Sequence, residues 1–309
     1  MNLKYYSLAA VAALSLGACS TDDTSTEPEN EGYKISFTVA EESETRTTFE
    51  TIETTSGTVD FLRWMPADKV GIYTVGKNVN PNTLTVPDLN QSPVAFIGIL
   101  KQPVSPGDKF YAYYPYDAEQ STDPTKVKLS IPALQQQTEA GVYNGDSHPL
   151  VAVPMEFTGT WDSYACCMNE NVKFRQLGSV IELSLYSSNE ALLSEKIQSV
   201  TFESNTALAG DFQFDLTSET VEEKLQISEY ASTEVTTLLK VPAAIPATKG
   251  KAARIYLTLA PGQYAGKIVV KTDVAQYTMT LKNPMTFGRA VIKGLTANLA
   301  SANVVRETL

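Results

Sequence analysis

One histidine, His148, and three cysteines, Cys19, Cys166 and Cys167, are all that the chain offers of the residues most used for metal binding and thiol chemistry. A single imidazole excludes multi-histidine centres, and two adjacent thiols without further Cys or His ligands do not make a zinc site. Nor do Cys166 and Cys167 suit each other as a disulfide, because Cα atoms across one trans peptide stand about 3.8 Å apart, short of the usual bridge. They read as core or strand-edge thiols. Ser147 precedes His148 in Gly145-Asp146-Ser147-His148, where a hydroxyl and a base are neighbours in sequence. A nucleophilic serine needs its base at hydrogen-bond distance and an oxyanion hole. Adjacent side chains on an extended chain point apart, and no strand–turn–helix surrounds this serine. A surface loop is expected there.

The carboxylates are equally unpromising as a site. Asp60, Asp68, Asp108 and Asp117 sit mostly in turn contexts, where Asp is favoured for its own backbone hydrogen bonding. A glycosidase pair needs only to meet in space, and nothing singles one out. Phosphate loops, dinucleotide fingerprints and calcium loops are absent. The aromatic block Phe110-Tyr111-Ala112-Tyr113-Tyr114-Pro115-Tyr116 could stack on sugar rings if exposed. On a strand, however, alternate rings face opposite sides, so at least half should enter the core, with the rest at its rim. The reading is of a protein that is not an enzyme, with no catalytic residues, metal or cofactor.

The elements around these residues are strands. Tyr33, Ile35, Phe37 and Val39 alternate with Lys34, Ser36 and Thr38, the period of a half-buried strand. The same alternation marks Val127-Leu129-Ile131, Ile181-Leu183-Leu185 and Tyr277-Met279-Leu281. Further strand-like runs cover 70–75, 94–100, 109–114, 197–203, 211–215, 236–241, 254–260 and 266–272. Pro66-Ala67-Asp68, Ser105-Pro106-Gly107-Asp108 and Pro261-Gly262-Gln263 are turn signals, and the last reads as a hairpin between two good strands. Helical text is confined to a turn or two at 190–196. Many short strands separated by Gly/Pro turns mean an all-β sandwich architecture. Periodicity lapses near 158–170, which divides the body into 47–162 and 163–309.

The start of the chain has a different character. Lys4, the uncharged run Tyr5–Ala18 and small residues before Cys19 are the marks of a secretory signal peptide over 1–18. The run is shorter than the roughly 20 apolar residues of a spanning helix. Leu16-Gly17-Ala18-Cys19 resembles the bacterial lipobox, which makes Cys19 the lipidation site; a second acyl chain turns marginal membrane binding into stable anchoring. Residues 20–32 are polar and acidic, a solvated tether. Of the formal charge of −11, residues 19–46 carry eight acids and two bases, and Lys4 adds one base; residues 47–309 therefore keep −6. A mildly acidic body argues against nucleic-acid binding.

Several blocks then converge. Tyr33-Lys34-Ile35-Ser36-Phe37-Thr38, Thr45-Arg46-Thr47-Thr48-Phe49, Phe61-Leu62-Arg63-Trp64 and Asp68-Lys69-Val70-Gly71-Ile72-Tyr73 resemble the opening of the fimbrillin family, the type V pilins and fimbrillin-like lipoproteins of Bacteroidota. Tyr111–Tyr116, Gln135-Gln136-Gln137-Thr138, Val172–Ser179 and Pro261-Gly262-Gln263-Tyr264 continue the resemblance along nearly the whole chain. The resemblance implies two transthyretin-like β-sandwich domains in tandem, a lipid-anchored precursor at the outer membrane, and incorporation into fimbriae that serve adhesion and biofilm formation. It further implies a trypsin-like cut after an arginine, which Arg46 before Thr47 matches, so that 19–46 is a tether plus a removable first strand. Loss of Tyr33, Ile35, Phe37 and Val39 would open an apolar cleft. An extended segment from another subunit could refill it by main-chain pairing and apolar plugs. The candidate donor lies near 290–300, where Leu295, Ala297 and Leu299 alternate with Thr296 and Asn298, although Lys293 interrupts the apolar face upstream. The alternative is an unprocessed surface lipoprotein that binds a glycan or a host protein.

Overall fold

A computed structural model describes residues 32–40, 48–54, 57–158, 161–162, 165–168, 170–222 and 224–309. Cys19, Arg46 and Thr47, the signal peptide and the acidic tether lie outside the described residues. Gly32–Leu309 forms one compact unit.

The strands of the first half are β1 (Tyr33–Thr38), β2 (Thr48–Thr54), β3 (Gly57–Arg63), β4 (Val70–Val75), β5 (Asn80–Asp88), β6 (Ala95–Leu100), β7 (Lys109–Tyr114), β8 (Val127–Ile131), β9 (Leu134–Gln137), β10 (Leu150–Ala152), β11 (Met155–Glu156), β12 (Trp161–Asp162), β13 (Ala165–Cys167) and β14 (Phe174–Gln176). Those of the second half are β15 (Ser179–Tyr186), β16 (Lys196–Ser204), β17 (Ala209–Phe214), β18 (Glu229–Ser232), β19 (Glu234–Ala244), β20 (Ala253–Leu259), β21 (Gly262–Tyr264), β22 (Gly266–Thr272), β23 (Ala275–Thr280), β24 (Met285–Phe287), β25 (Ile292–Asn298) and β26 (Val304–Thr308). The chain is all-β, as the alternation predicts. At 190–196 it makes a single 3-10 turn, Glu190–Leu192, where the Ala191 N–H donates to the Asn189 side chain.

Among the described residues the first half builds one large sheet in the order β12-β13-β1-β6-β5-β4-β7-β10-β14. The second half builds the sheets β20-β15-β25 and β26-β23-β22-β16-β19-β9, with smaller ladders beside them. Pairing crosses 162/163 both ways. β8 pairs with β17 and β9 with β19, while β13 and β14 pair back onto β1 and β10.

The buried apolar residues gather into two main clusters. One lies on the first sheet and holds Ile35, Phe37, Val70, Ile72, Phe96 and Phe110. The other fills the space between the sheets of the second half, with Leu183, Val200, Phe202, Phe212, Ile255 and Val270. β4 and β7 serve both. Phe110 and Tyr114 face the first cluster, Tyr111 and Tyr113 the second, so all four rings are buried. Alternation along a strand puts neighbouring side chains on opposite faces, and here both faces are covered. Gly71 makes this possible: a Cβ there would stand 2.1 Å from the Tyr113 ring.

The hairpin expected at Pro261-Gly262-Gln263 does not form. β20 pairs with β15 and β22 with β16 and β23, so the chain changes sheet at this turn. The corner between them is held by β21 against β24 and by the buried Tyr264, whose hydroxyl donates to the Ala260 carbonyl at 2.9 Å. Turn residues fix that the chain reverses; which sheet receives it depends on where the flanking side chains are buried.

Candidate functional site: the first strand and its slot

β1 is an interior strand. It runs antiparallel to β6 from Tyr33↔Leu100 to Thr38↔Ala95 and parallel to β13 from Lys34↔Ala165 to Ser36↔Cys167. The segment after β13 prolongs the second ladder: Met168 N–H donates to Ser36 O at 3.2 Å, Val172 N–H to Thr38 O at 2.7 Å, and Ala40 N–H to Val172 O at 2.9 Å. Cys166 and Cys167 thus belong to a strand beside β1, and no more than their backbone is described.

Alternation decides what β1 buries. Ile35, Phe37 and Val39 are 0%, 1% and 2% exposed, Tyr33 packs partly buried against the same cluster, and Lys34 is exposed. The Phe37 ring is 5.5 Å from Phe96 in a near-parallel stack and 5.1 Å from Phe110 edge-on. Trp64 meets Phe96, Tyr114 and Phe174 edge-on around them, at 4.8, 5.6 and 5.5 Å. Opposite Ile35 stands Gly98, where a Cβ would lie 2.6 Å from Thr85 Cγ2 and 2.9 Å from the Leu84 carbonyl. Burial of each inward side chain contributes roughly 1.5–3 kcal/mol. Without β1 the first cluster would keep a slot bounded by β6 and β13, with unpaired N–H and C=O groups along both walls. An extended segment that filled it would have to run in the direction of β1.

The donor candidates lie at the other end of the chain, on β25. This strand pairs parallel with β15, from Val180↔Ile292 to Tyr186↔Asn298. Leu295 and Ala297 pack partly buried against the second cluster and Leu299 is 3% exposed, so the alternating apolar face points inward on its own subunit. Lys293, which breaks that face, donates from Nζ to the Thr286 carbonyl at 2.9 Å and sits 5.4 Å from the Phe287 ring centroid.

The outer edge of β20, the far side of the same sheet, is closed by side chains. Gln135 accepts from Thr258 N–H and donates to Thr258 O at 2.9 and 2.6 Å. Gln137 accepts from Tyr256 N–H and donates to Arg254 O, both at 3.0 Å, and Thr237 Oγ1 donates to Tyr256 O at 2.7 Å. These side-chain amides take the place of a strand ladder. A polar Gln-Gln-Gln run gives no sign of burial by periodicity, and this role was not legible in it.

The residues with catalytic chemistry are placed as follows. Gly145–Ser147 is a 3-10 turn, and Ser147 and His148 are 5% and 3% exposed, which corrects the expected surface loop. His148 Nδ1 lies 2.8 Å from the Tyr143 hydroxyl, which is also 3.2 Å from Thr258 Oγ1. Burial pushes the His148 pKa down to about 4, with a Gly178 backbone contact opposing it, so the ring is neutral. Asp68 accepts from Met65 N–H and Tyr114 Oη, Asp108 from Ser105 and Lys77 N–H, and Asp117 from Glu119 N–H. The bonds from Met65, Ser105 and Glu119 are the turn roles expected of them; those from Tyr114 and Lys77 come from distant segments, and Asp60 lies in β3 instead of a turn. Among the described residues no three His, Cys, Asp or Glu side chains stand together as a metal site.

No protein-family model matches the chain, and no curated protein gives a significant match. Solved structures do. A candidate cell adhesion protein of Bacteroides ovatus is similar with a TM-score of 0.55 at 14% identity, over 90% of this chain and 96% of that one. A fimbrial protein of the same species gives 0.39 at 12% identity, over 86% of this chain and 48% of that one. The fimbrial anchor protein of Porphyromonas gingivalis gives 0.33 at 9% identity, over 77% of each. The first is a likeness of fold.

Proposed function

We propose that this fimbrillin-like chain is a structural and adhesive fimbrial subunit, exported as a lipoprotein through Cys19 and assembled by strand exchange after cleavage between Arg46 and Thr47. The observation that carries the proposal is the place of β1. Three consecutive inward side chains of one short strand are essentially inaccessible, and the strand precedes the arginine at which it would be cut off. Donor-strand complementation repairs a loss of this kind, because main-chain pairing restores both walls and alternate side chains refill the pockets.

In this reading the body is two transthyretin-like sandwich domains, 47–162 and 163–309. The partners are other pilin subunits, which receive or supply the segment around Leu295, Ala297 and Leu299. The precursor sits on the outer membrane by its lipid and the processed subunit in the fimbrium. Scarce histidine and cysteine and a fold shared with a candidate cell adhesion protein support a role without enzymatic chemistry. A second reading has one observation in its favour: β1 is hydrogen-bonded along both sides, as a permanent strand would be. The chain would then be an unprocessed surface lipoprotein that binds a glycan or a host protein.

Limited trypsin treatment of the purified full-length protein separates the two. The subunit reading expects a product beginning at Thr47 that forms a ladder of multimers resistant to denaturant. A product that begins at Thr47 but stays monomeric, or a chain that trypsin leaves whole at Arg46, goes against it.

A further inference from the structure

The last two strands are attached to the body in different ways. β25 is the outer strand of its sheet, and between it and the facing sheet lies a cleft of about 320 Å3 of mixed lining, with apolar Leu183, Ile268, Met279 and Leu295 beside polar Lys282 and Asn303. Both of its ends are pinned. Upstream, Ala290 N–H donates to Gly178 O at 2.8 Å; downstream, β26 pairs with β23 from Met279↔Val304 to Ala275↔Thr308.

β26 has little apolar attachment. It is an edge strand, and Val305 is 59% exposed. Its one strong polar attachment is Arg306, whose side chain is 39% exposed but reaches the buried Glu195. Glu195, 5% exposed on the approach to β16, accepts from Arg306 Nη2 at 3.0 Å and from the Thr272 hydroxyl at 2.7 Å. Arg306 Nε donates to the Tyr277 hydroxyl at 3.0 Å, and the guanidinium carbon stands 5.8 Å from the Tyr277 ring centroid. Burial alone would push the Glu195 carboxyl up; donors from Thr272, Arg306 and Tyr277 outweigh it and hold the carboxyl below its usual range. Loss of Arg306 would leave the buried Glu195 carboxylate with only the neutral donors Thr272 and Tyr277, so Arg306 is the charged part of the hold on β26.

We infer that Glu195, Arg306 and Tyr277 form a clamp that keeps the arm from Val291 onward folded back on its own subunit, and that opening the clamp is the step that frees β25 as a donor strand. The purpose of the clamp rests on the strand-exchange reading; its existence rests on geometry alone. While β26 stays zipped to β23, β25 is held at both ends and can bulge outward but cannot thread into a slot on another molecule. Once Arg306 leaves Glu195 and Tyr277, β26 keeps five register positions of an edge strand, the partly buried Val304 and the Leu309 N–H bond to Val274 O. β25 then keeps its ladder with β15 and the contacts of Leu295, Ala297 and the buried Leu299, with the cleft beside Leu295 leaving this face only partly packed.

Hydrogen exchange on the unprocessed full-length chain tests this, comparing wild type with R306Q and Y277F. The second variant keeps the ring and loses only the hydroxyl that receives Arg306 Nε. Amides of β26 and β25 should exchange at least about ten-fold faster in R306Q and by a smaller factor in Y277F, while those of β7 and β20 keep their protection. Unchanged β25 rates in both variants overturn the clamp, even if β26 frays. Should R306Q lose protection throughout, Y277F decides alone. Multimer formation after trypsin treatment distinguishes the two layers of the argument. Faster exchange with no ladder in any variant leaves the clamp and removes strand exchange. A ladder that grows at one rate in all three overturns the clamp as a gate.

Discussion

Gln135 engages both polar groups of one residue, Thr258: its Oε1 accepts the Thr258 N–H at 2.9 Å and its Nε2 donates to the Thr258 carbonyl at 2.6 Å. With Gln137 and Thr237 it closes the outer edge of β20, which would otherwise be a bare edge open to pairing with another chain. Gln135→Ala and Gln137→Ala should each destabilise the protein by roughly 1–3 kcal/mol, the cost of leaving buried backbone groups unpaired. Urea unfolding measures this, and losses within about 0.5 kcal/mol, typical of a neutral surface change, would contradict it.

Phe37 is the largest side chain that β1 buries, stacked on Phe96 and edge-on to Phe110. In the unprocessed chain Phe37→Ala should cost about 3–5 kcal/mol. Lys34→Ala, on the exposed face of the same strand, should stay within about 0.5 kcal/mol. Equal effects in chemical denaturation would mean that β1 is not packed as described.

Much of the fold is legible in the sequence, and the exceptions share a cause. Tyr33–Thr38, Val127–Ile131 and Ala275–Thr280 were legible because one face of each is apolar at period two. Asn80–Asp88 was not: it begins Asn-Pro and ends Pro-Asp, and those prolines argue for a loop although they stand at the strand's ends. The burial of Ile35, Phe37 and Val39 followed from their spacing. The burial of His148 and of Gln135 did not, since polar side chains enter a core only when partners meet them, here the distant Thr258, which bonds Gln135 directly and reaches His148 through Tyr143. Likewise the alternation at Leu295 and Ala297 showed an inward face, while the pairing of Arg306 with Glu195, 111 positions away, left no local trace.

His148 makes stability depend on pH. In the unfolded chain it titrates near 6.5, and in the folded chain burial lowers this to about 4. Between those values the unfolded state binds the extra proton, so this contribution is whole above about pH 6.5 and is lost as pH falls toward 4, amounting to roughly 3 kcal/mol. His148→Gln should flatten the rise of stability with pH across that window relative to wild type. Parallel curves for the two proteins, measured by denaturation at several pH values, would show that the buried ring is not responsible.

The spacing of Leu295, Ala297 and Leu299 matches that of Ile35, Phe37 and Val39, so the proposed exchange would put a methyl group in place of the Phe37 ring. A synthetic peptide covering 291–301 should bind the chain cleaved at Arg46, and its Ala297→Phe version should bind about ten-fold tighter or more, since burying a phenylalanine side chain contributes roughly 1.5–3 kcal/mol. Calorimetric titration gives both affinities. Weaker binding of the phenylalanine peptide would reject this register.

The removable first strand is tested most directly by the N-terminal sequence of the protein sheared from intact cells. The account predicts a mature chain that begins at Thr47, without Tyr33–Thr38. A lipidated Cys19 as the sole N-terminus of the surface protein would contradict it and leave a tethered binder in its place.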